Sequence, residues 1–374
     1  MKPGRVPALR RAISARQRVD PRVILFESWH GAYNDSPRAI SEALHRRGAD
    51  FEHVWLVAPG TPEVPEWATT VTPDSRAYLE ALGRAGYVVA NNTMRGYFRK
   101  KPATTYLQTW HGTPLKRIAF DIPGRSRANP PKYMRALRRD IASWKYLISP
   151  NPFSTEVFRR AFRFDGEILE TGYPRNDLLT SPDRDAIRER VRAALGIDAN
   201  ARAILYAPTW RDDDAFSLEL DVGGLLDQLG DTHVLLLRAH QIVADTVAAD
   251  RRPGLLDVSK YPDNRELYLA ADALITDYSS AMFDFAVTGK PILLFTYDLE
   301  RYRDRLRGFY FDFEREAPGP LLASSEATID ALADLDAVSA MHRDAYDAFR
   351  RRFCSLEDGH ASERVIEAVF GGSR

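Results

Sequence analysis

Five short polar runs stand where chemistry is easiest to place, each just after an apolar stretch of strand length: residues 110–116, 173–176, 208–211, 238–240 and 277–280. The first holds His111 beside Gly112 and Thr113. An imidazole titrates near neutrality and is the usual side chain for taking a proton from a hydroxyl, and a following glycine lets a ligand approach the backbone closely. In the fourth run Arg238 and His240 flank Ala239; a guanidinium and an imidazole there suit a pyrophosphate. In the last, Asp277, Ser279 and Ser280 are types that cap a helix start, where N–H groups and the helix dipole suit a phosphate. Asp284, one turn on, is placed for a ribose or glycerol hydroxyl. His30 is a weaker candidate, and His45, His53, His233, His342 and His360 sit in no supporting motif and read as structural. The acidic run Asp212, Asp213 and Asp214 reads as a solvated loop rather than a metal site. Each run alone has an ordinary structural reading; their common position after strands carries the argument.

The elements that must position them follow from hydrophobic patterning. Short apolar runs at 23–27, 53–58, 87–91, 104–109, 146–148, 168–171, 203–206, 234–237, 255–258, 273–276 and 292–295 predict strands. Helical spacing is read at 38–47, 76–84, 132–142, 155–162, 185–195, 264–270, 331–352 and 360–370, and between Ser280 and Gly289. Residues 117–131 and 315–326 read as loops. Strand–helix alternation calls for parallel sheets covered on both faces. A polar turn at 196–202 after the 185–195 helix separates two sets of strands, with the boundary near 180. The expected architecture is α/β: two facing Rossmann-like domains with the polar runs converging on a cleft between them. No Gly-x-Gly-x-x-Gly follows a strand, which argues against a dinucleotide.

Composition bounds the reading. With 374 residues, 44% hydrophobic and 28% charged, the chain is long enough for two ordinary domains with a sizeable core. A formal net charge of zero gives no global pull toward nucleic acid. One cysteine, Cys354, excludes an intrachain disulfide and a cysteine-based zinc site. No apolar run is long enough to span a membrane, and the N-terminus lacks a signal-peptide core. It is basic instead, with Lys2, Arg5, Arg10, Arg11, Arg16 and Arg18 before the first acid. A second basic stretch, Lys132, Arg135, Arg138, Arg139 and Lys145, accompanies Tyr133, Met134, Leu137, Ile141 and Trp144, a pattern of interfacial helices. Both point to an anionic membrane surface.

Taken together in order and spacing, the motifs resemble the CDP-glycerol glycerophosphotransferases of teichoic acid and capsule synthesis. The likeness rests on Trp-His-Gly-Thr-Pro-Leu-Lys at 110–116, Ser-Pro-Asn at 149–151, Thr-Gly-Tyr-Pro-Arg-Asn-Asp at 171–177, Tyr-Ala-Pro-Thr-Trp-Arg at 206–211, Arg-Ala-His at 238–240 and Thr-Asp-Tyr-Ser-Ser at 276–280. A closing Asp-Gly-His-Ala-Ser-Glu-Arg at 358–364 departs from the family in carrying His360 where lysine is commoner. The resemblance implies a GT-B-like fold divided as a basic arm 1–20, an acceptor-side domain 21–180, a nucleotide-donor domain 181–354 and a C-terminal segment 355–374 returning to the first domain. It implies that His111, Gly112, Thr113, Pro114 and Leu115 line the glycerol-phosphate end of the donor. Arg175, Pro208, Thr209, Arg238, Ala239, His240, Ser279, Ser280 and Asp284 would hold the nucleotide and phosphates, with His111 and His240 as two essential histidines. The implied reaction passes glycerol phosphate from CDP-glycerol to a hydroxyl of a lipid-linked or polymer acceptor and releases CMP, with no cofactor and no metal ligand expected. The implied location is cytoplasmic, at the inner membrane face. A ribitol-phosphate transferase using CDP-ribitol, or a GT-B sugar-nucleotide glycosyltransferase or epimerase, remain alternatives.

Overall fold

The structure, a computed structural model, describes residues 5–61, 64–124, 130–209, 218–239, 252–306 and 308–371. Two compact units divide the chain. The first comprises Met1–His111, Asn129–Asp177 and Leu356–Arg374, and the second Gly112–Ala128 and Leu178–Ser355.

The first unit is built on a seven-stranded sheet. Its strands are β1 (Asp20–Glu27), β2 (Glu52–Leu56), β3 (Thr69–Val71), β4 (Ala85–Ala90), β5 (Thr105–Gln108), β6 (Tyr146–Ser149) and β7 (Glu167–Glu170), in the order β3-β2-β1-β4-β5-β6-β7. Every pairing is parallel. Val23, Ile24, Leu25 and Phe26 are all fully buried, so β1 is covered on both faces and reads as an unbroken apolar run. Val365, Ile366 and Phe370 of the last helix, Ala361–Phe370, complete this core beside Ile24, Val89 and Ile148. Asp177 caps that helix, accepting from the N–H groups of Ala361 at 2.9 Å and Ser362 at 2.8 Å.

The second unit holds six parallel strands: β8 (Arg202–Ala207), β9 (His233–Leu237), β10 (Leu255–Asp257), β11 (Ala273–Thr276), β12 (Ile292–Phe295) and β13 (Leu321–Leu322), in the order β10-β9-β8-β11-β12-β13. Its core gathers Ile204, Tyr206, Leu235, Leu237, Ile275 and Leu293 with Ile329 and Leu332 from the helix Ser325–Ala333. The α/β class with two parallel sheets is the one expected, and it is GT-B-like.

Several boundaries differ from the sequence reading. The strands β3 and β13 are short edge strands that it passed over, and the single helix read at 331–352 is three: Ser325–Ala333, Leu335–Met341 and Arg343–Phe353. The segment read as a basic arm contains a helix, Arg5–Arg16, docked on the helix Arg76–Arg84. There Gly83 admits the close approach, since a Cβ would lie 2.1 Å from the Ser14 carbonyl oxygen. Arg10 pairs with Asp74 at 3.2 Å, and Lys101 donates to the carbonyls of Gln17 and Gly83. Residues 112–128, placed by the resemblance in the first domain, group with the second unit. In the basic helix Pro131–Ile141, Leu137 and Ile141 are buried, as is Trp144 just beyond it, so those apolar residues pack inward.

Candidate active site

The first sheet reverses its strand order between β1 and β4. Such a switch point, at the carboxyl ends of the strands, is where open α/β sheets bind ligands. The segments leaving β1, β4 and β5 carry Trp29, Asn91 and His111. Asn91, fully buried, holds all three together. Its Oδ1 accepts the Trp29 N–H at 3.0 Å, its Nδ2 donates to Ser28 Oγ at 2.9 Å, and its carbonyl oxygen lies 2.7 Å from His111 Nδ1. A carbonyl can only accept, so Nδ1 carries the proton and Nε2 presents a lone pair. That is the tautomer a general base requires.

The His111 ring stacks on Trp110 at a centroid distance of 4.1 Å and meets Trp29 at 4.8 Å. Trp110 is itself locked edge-on against Phe162. Burial pushes the His111 pKa below its ordinary value; the Asn91 carbonyl and Asp35 oppose this, and Arg175 adds to it. The imidazole is therefore neutral at neutral pH. Asp35 is held from three sides: by Arg175 Nη1 at 3.1 Å, by the indole N–H of Trp29 at 3.1 Å and by the Ser36 N–H at 2.6 Å. Burial works to raise this carboxyl, but Arg175, the Ser36 N–H and His111 outweigh it and hold it below the usual carboxylate range. Seven non-glycine residues among those described have positive φ, and four of them, Trp29, His30, Asp35 and Trp110, lie in the segments beside His111. Each such backbone costs about 1–3 kcal/mol and persists only where its surroundings over-determine it.

The second sheet reverses between β8 and β11. Thr276 Oγ1 donates to the Ala207 carbonyl at 2.7 Å. Asp277 Oδ1 accepts the N–H groups of Thr209 at 2.9 Å and Tyr278 at 2.7 Å. Ser280 ends the loop as the N-cap of a six-residue helix, Ala281–Ala286, without a side-chain cap bond, and Ser279 Oγ accepts from the Ala281 N–H at 3.2 Å instead. Gly112 approaches this loop so closely that a Cβ there would lie 2.7 Å from Ser280 Oγ. The segment after Gly112 is fastened to the same unit: Tyr310 N–H donates to the Leu115 carbonyl at 2.9 Å and Arg117 N–H to that of Gly308 at 3.1 Å. The Tyr310 hydroxyl accepts from Ile118 N–H at 3.1 Å and donates to Asp121 at 3.0 Å.

The structure thus sorts the expected site residues into two groups. Gly112, Thr113, Pro114, Leu115, Pro208, Thr209, Arg238, Ala239, Ser279, Ser280 and Asp284 belong to the second unit. Thr113, Leu115 and Asp284 are buried, so Asp284 is no surface charge. Arg238 fastens the segment after β10, its Nη1 donating to the carbonyls of Val258 at 2.8 Å and Tyr261 at 2.9 Å. Arg175, expected with the nucleotide set, lies beside His111 in the first unit, paired to Asp35 and 4.0 Å above the Tyr173 ring. His240, Trp210, Arg211 and the acidic residues Asp212, Asp213 and Asp214 fall outside the described residues. Among the described residues no group of three histidine, cysteine or acidic side chains is placed to hold a metal. Sequence reasoning missed Asp35, Asn91 and Tyr310, whose partners lie 140, 20 and 192 residues away. Only the weaker candidate His30, just after a strand, signalled the Trp29 segment.

Known proteins with the same pattern extend over nearly the whole chain. The family model described as CDP-glycerol:poly(glycerophosphate) glycerophosphotransferase matches residues 9–371. A teichoic acid poly(glycerol phosphate) polymerase of Bacillus subtilis (strain 168) is 41% identical over 96% of this chain, which spans only 50% of that longer protein. A teichoic acid glycerol-phosphate transferase of Staphylococcus aureus is 40% identical over 93% of this chain and 92% of its own length. Among solved structures, the wall teichoic acid polymerase TagF superposes with a TM-score of 0.91 at 38% identity, covering 98% of this chain and 93% of that one. A UDP-N-acetylglucosamine 2-epimerase, at TM-score 0.54 and 13% identity, shares the fold alone across 96% of this chain and 97% of its own. By the extent of the family match and by these relatives, the chain belongs to the CDP-glycerol:poly(glycerophosphate) glycerophosphotransferase family.

Proposed function

We propose that this chain transfers glycerol phosphate from CDP-glycerol to a hydroxyl of a polymer or lipid-linked acceptor and releases CMP, as part of teichoic-acid-type envelope polymer synthesis. The observation that carries the reading is the fixed tautomer of His111, with Nδ1 tied to Asn91 and Nε2 left to accept, on the residue that precedes Gly112. Gly112 in turn touches Ser280.

In this mechanism the acceptor oxygen attacks the glycerol-side phosphorus while His111 Nε2 takes its proton. The bond from that phosphorus to the bridging oxygen breaks, and CMP departs as a phosphate monoester that needs little protonation. Thr113, Leu115 and the loop at Ser279 and Ser280 position the pyrophosphate, and fixed donors stabilise the charge that develops on it. Arg175 acts at one remove here: it holds Asp35, and the pair tunes His111. His240 fits the same pyrophosphate role by its motif.

The test is to supply the purified protein with CDP-glycerol, CDP-ribitol or a UDP-sugar, together with a glycerol-phosphate acceptor, and to measure the nucleotide released. CMP from CDP-glycerol alone is the expected result. Release from CDP-ribitol or UDP from the sugar nucleotide at higher kcat/KM would overturn the donor assignment.

A peripheral membrane site belongs to the same reading, because the acceptor is expected to be lipid-linked. No helix among the described residues is long and apolar enough to cross a membrane. Lys132, Arg135, Arg138 and Arg139 are exposed on the helix Pro131–Ile141. Burial and then the neighbouring charges of Arg11 and Arg139 lower the pKa of Arg99, so basic residues from the first helix and from 131–141 gather in one place. With Leu137, Ile141 and Trp144 turned inward, attraction to anionic lipid is electrostatic and acts within about 8 Å at physiological salt. Co-sedimentation with anionic vesicles should fade with salt and with charge reversal at Arg135, Arg138 and Arg139. Equal binding to neutral vesicles would count against it.

A further inference from the structure

Beside His111 the chain presents a large aromatic ring that packing only half covers. Trp29 is 48% exposed, whereas Trp55, Trp110 and Trp144 are at most 8% exposed. It opens a left-handed turn, with φ of 44° at Trp29, 60° at His30 and 133° at Gly31. The turn is rigidly held. The N–H groups of Gly31 and Ala32 both donate to the Ser28 carbonyl, at 2.9 Å and 2.7 Å. The Gly31 carbonyl accepts from Ala58 N–H at 2.9 Å and Thr61 Oγ1 at 2.7 Å. No side chain fits at Gly31, where a Cβ would lie 2.6 Å from the Ala58 nitrogen. The ring itself is pinned through its N–H to Asp35 and faces His111 at 4.8 Å. A fold that strains two consecutive non-glycine residues to display an indole half in solvent has fixed a ligand surface in advance, which removes much of the ordering cost of binding.

We propose that Trp29 is the acceptor platform. Its indole carries the C–H face of the polyhydroxylated unit, glycerol or sugar, whose hydroxyl is delivered to His111 Nε2. An alcohol accepted by Nε2 must sit about 3 Å from it, and the indole centroid lies 4.8 Å from that of the same imidazole. Polyols and sugar rings offer an apolar C–H face rimmed by hydroxyls, and an indole offers the complementary apolar plane with a polar edge. The edge is already committed to Asp35, so the plane is the surface left for the ligand. The proposal rests on His111 being the base of the transfer reaction. It adds the group that recognises the acceptor, and it separates acceptor recognition from the donor-side residues of the second unit.

The test titrates two probes by calorimetry, a glycerol-phosphate trimer and methyl glucoside, into the wild-type chain, Trp29→Ala and Trp29→Phe, with CDP-glycerol titrated into each as the donor control. At least one probe should bind the wild type. Trp29→Ala should weaken that probe about tenfold, Trp29→Phe should restore most of the loss because it keeps a flat ring, and CDP-glycerol affinity should fall by much less than that of the probe. The probe that responds tells whether the platform takes a polymer end or a sugar. Trp29→Leu, with apolar bulk but no flat face, replaces the alanine variant should that one unfold, and should behave like it. Equal probe affinity in all variants, no binding of either probe to the wild type, or a parallel loss of CDP-glycerol affinity overturns the proposal. Failure of the transferase reading registers separately, as absence of CMP release by a wild-type chain whose polyol binding still depends on Trp29.

Discussion

At the first sheet's switch point, the proposed base is held by side chains on a strained backbone. Asn91 gathers Ser28, Trp29 and His111, Asp35 and Arg175 form a nearly buried pair, and four non-glycine residues take positive φ. At the second sheet's switch point the means are milder. One carboxylate, Asp277, collects two N–H groups, one threonine bridges β11 to β8, and among the described residues there the tight approach is that of Gly112 to Ser280. The contrast fits the two tasks proposed for them. A general base needs one tautomer and one direction, which only oriented side chains supply. A pyrophosphate is larger and symmetric in its oxygens, and a loop of backbone and hydroxyl donors can hold it without strain.

Substitutions can break this contrast in order of expected effect. His111→Ala should lower kcat about 10²- to 10⁴-fold with the circular dichroism spectrum unchanged. A near-normal rate in a folded variant would remove the base from the first switch point. Gly112→Ala should weaken CDP-glycerol about tenfold or more, because the added methyl displaces Ser280. Pairing it with Ser280→Gly should recover part of that loss, which donor titrations of the single and double variants would measure. The pH dependence is a sharper probe of the first site. A protonated imidazole cannot accept a proton, and burial holds the His111 pKa below 6.5, so kcat should fall only as pH drops below that value. Asp35→Asn deletes a negative charge that favours the imidazolium, and the acidic limb should move to still lower pH. A shift the other way would show that Asp35 does not act on His111 through its charge. The smallest effect is expected at Tyr310→Phe. Losing the hydroxyl's bonds to Ile118 and Asp121 should cost about 1 kcal/mol of stability, read by chemical denaturation, with a modest rise in KM for the donor.

How much of this was legible in the sequence follows the range of the interactions. Strands covered on both faces must be apolar throughout, so runs such as 273–276 and 203–206 announced β11 and β8 within a residue or two. His111 and Gly112 were legible because a strand end, an imidazole and a glycine are adjacent in the chain. Two-residue β13 and three-residue β3 have too few positions for a pattern and exist because a neighbouring strand pairs with them. Arg175 was assigned to the nucleotide by its motif, but its burial against Asp35 depends on a contact spanning 140 residues, for which no local signal exists. Nor does any local rule announce positive φ at Trp29 or Trp110. Such backbone is disfavoured for bulky residues and arises only where tertiary bonds enforce it.

The first unit is assembled from three separate stretches of chain, and its final one, Leu356–Arg374, includes the helix that puts Val365, Ile366 and Phe370 into its core. During synthesis, therefore, the second unit has its whole sequence available before the first can close. The unit that carries His111 must wait through the translation of residues 178–355 with the core partners of Val365, Ile366 and Phe370 uncovered, exposed to the aggregation that threatens incomplete domains. A ribosome that stalls before residue 361 leaves a second unit whose stretches are all made beside a first unit that lacks the helix Ala361–Phe370.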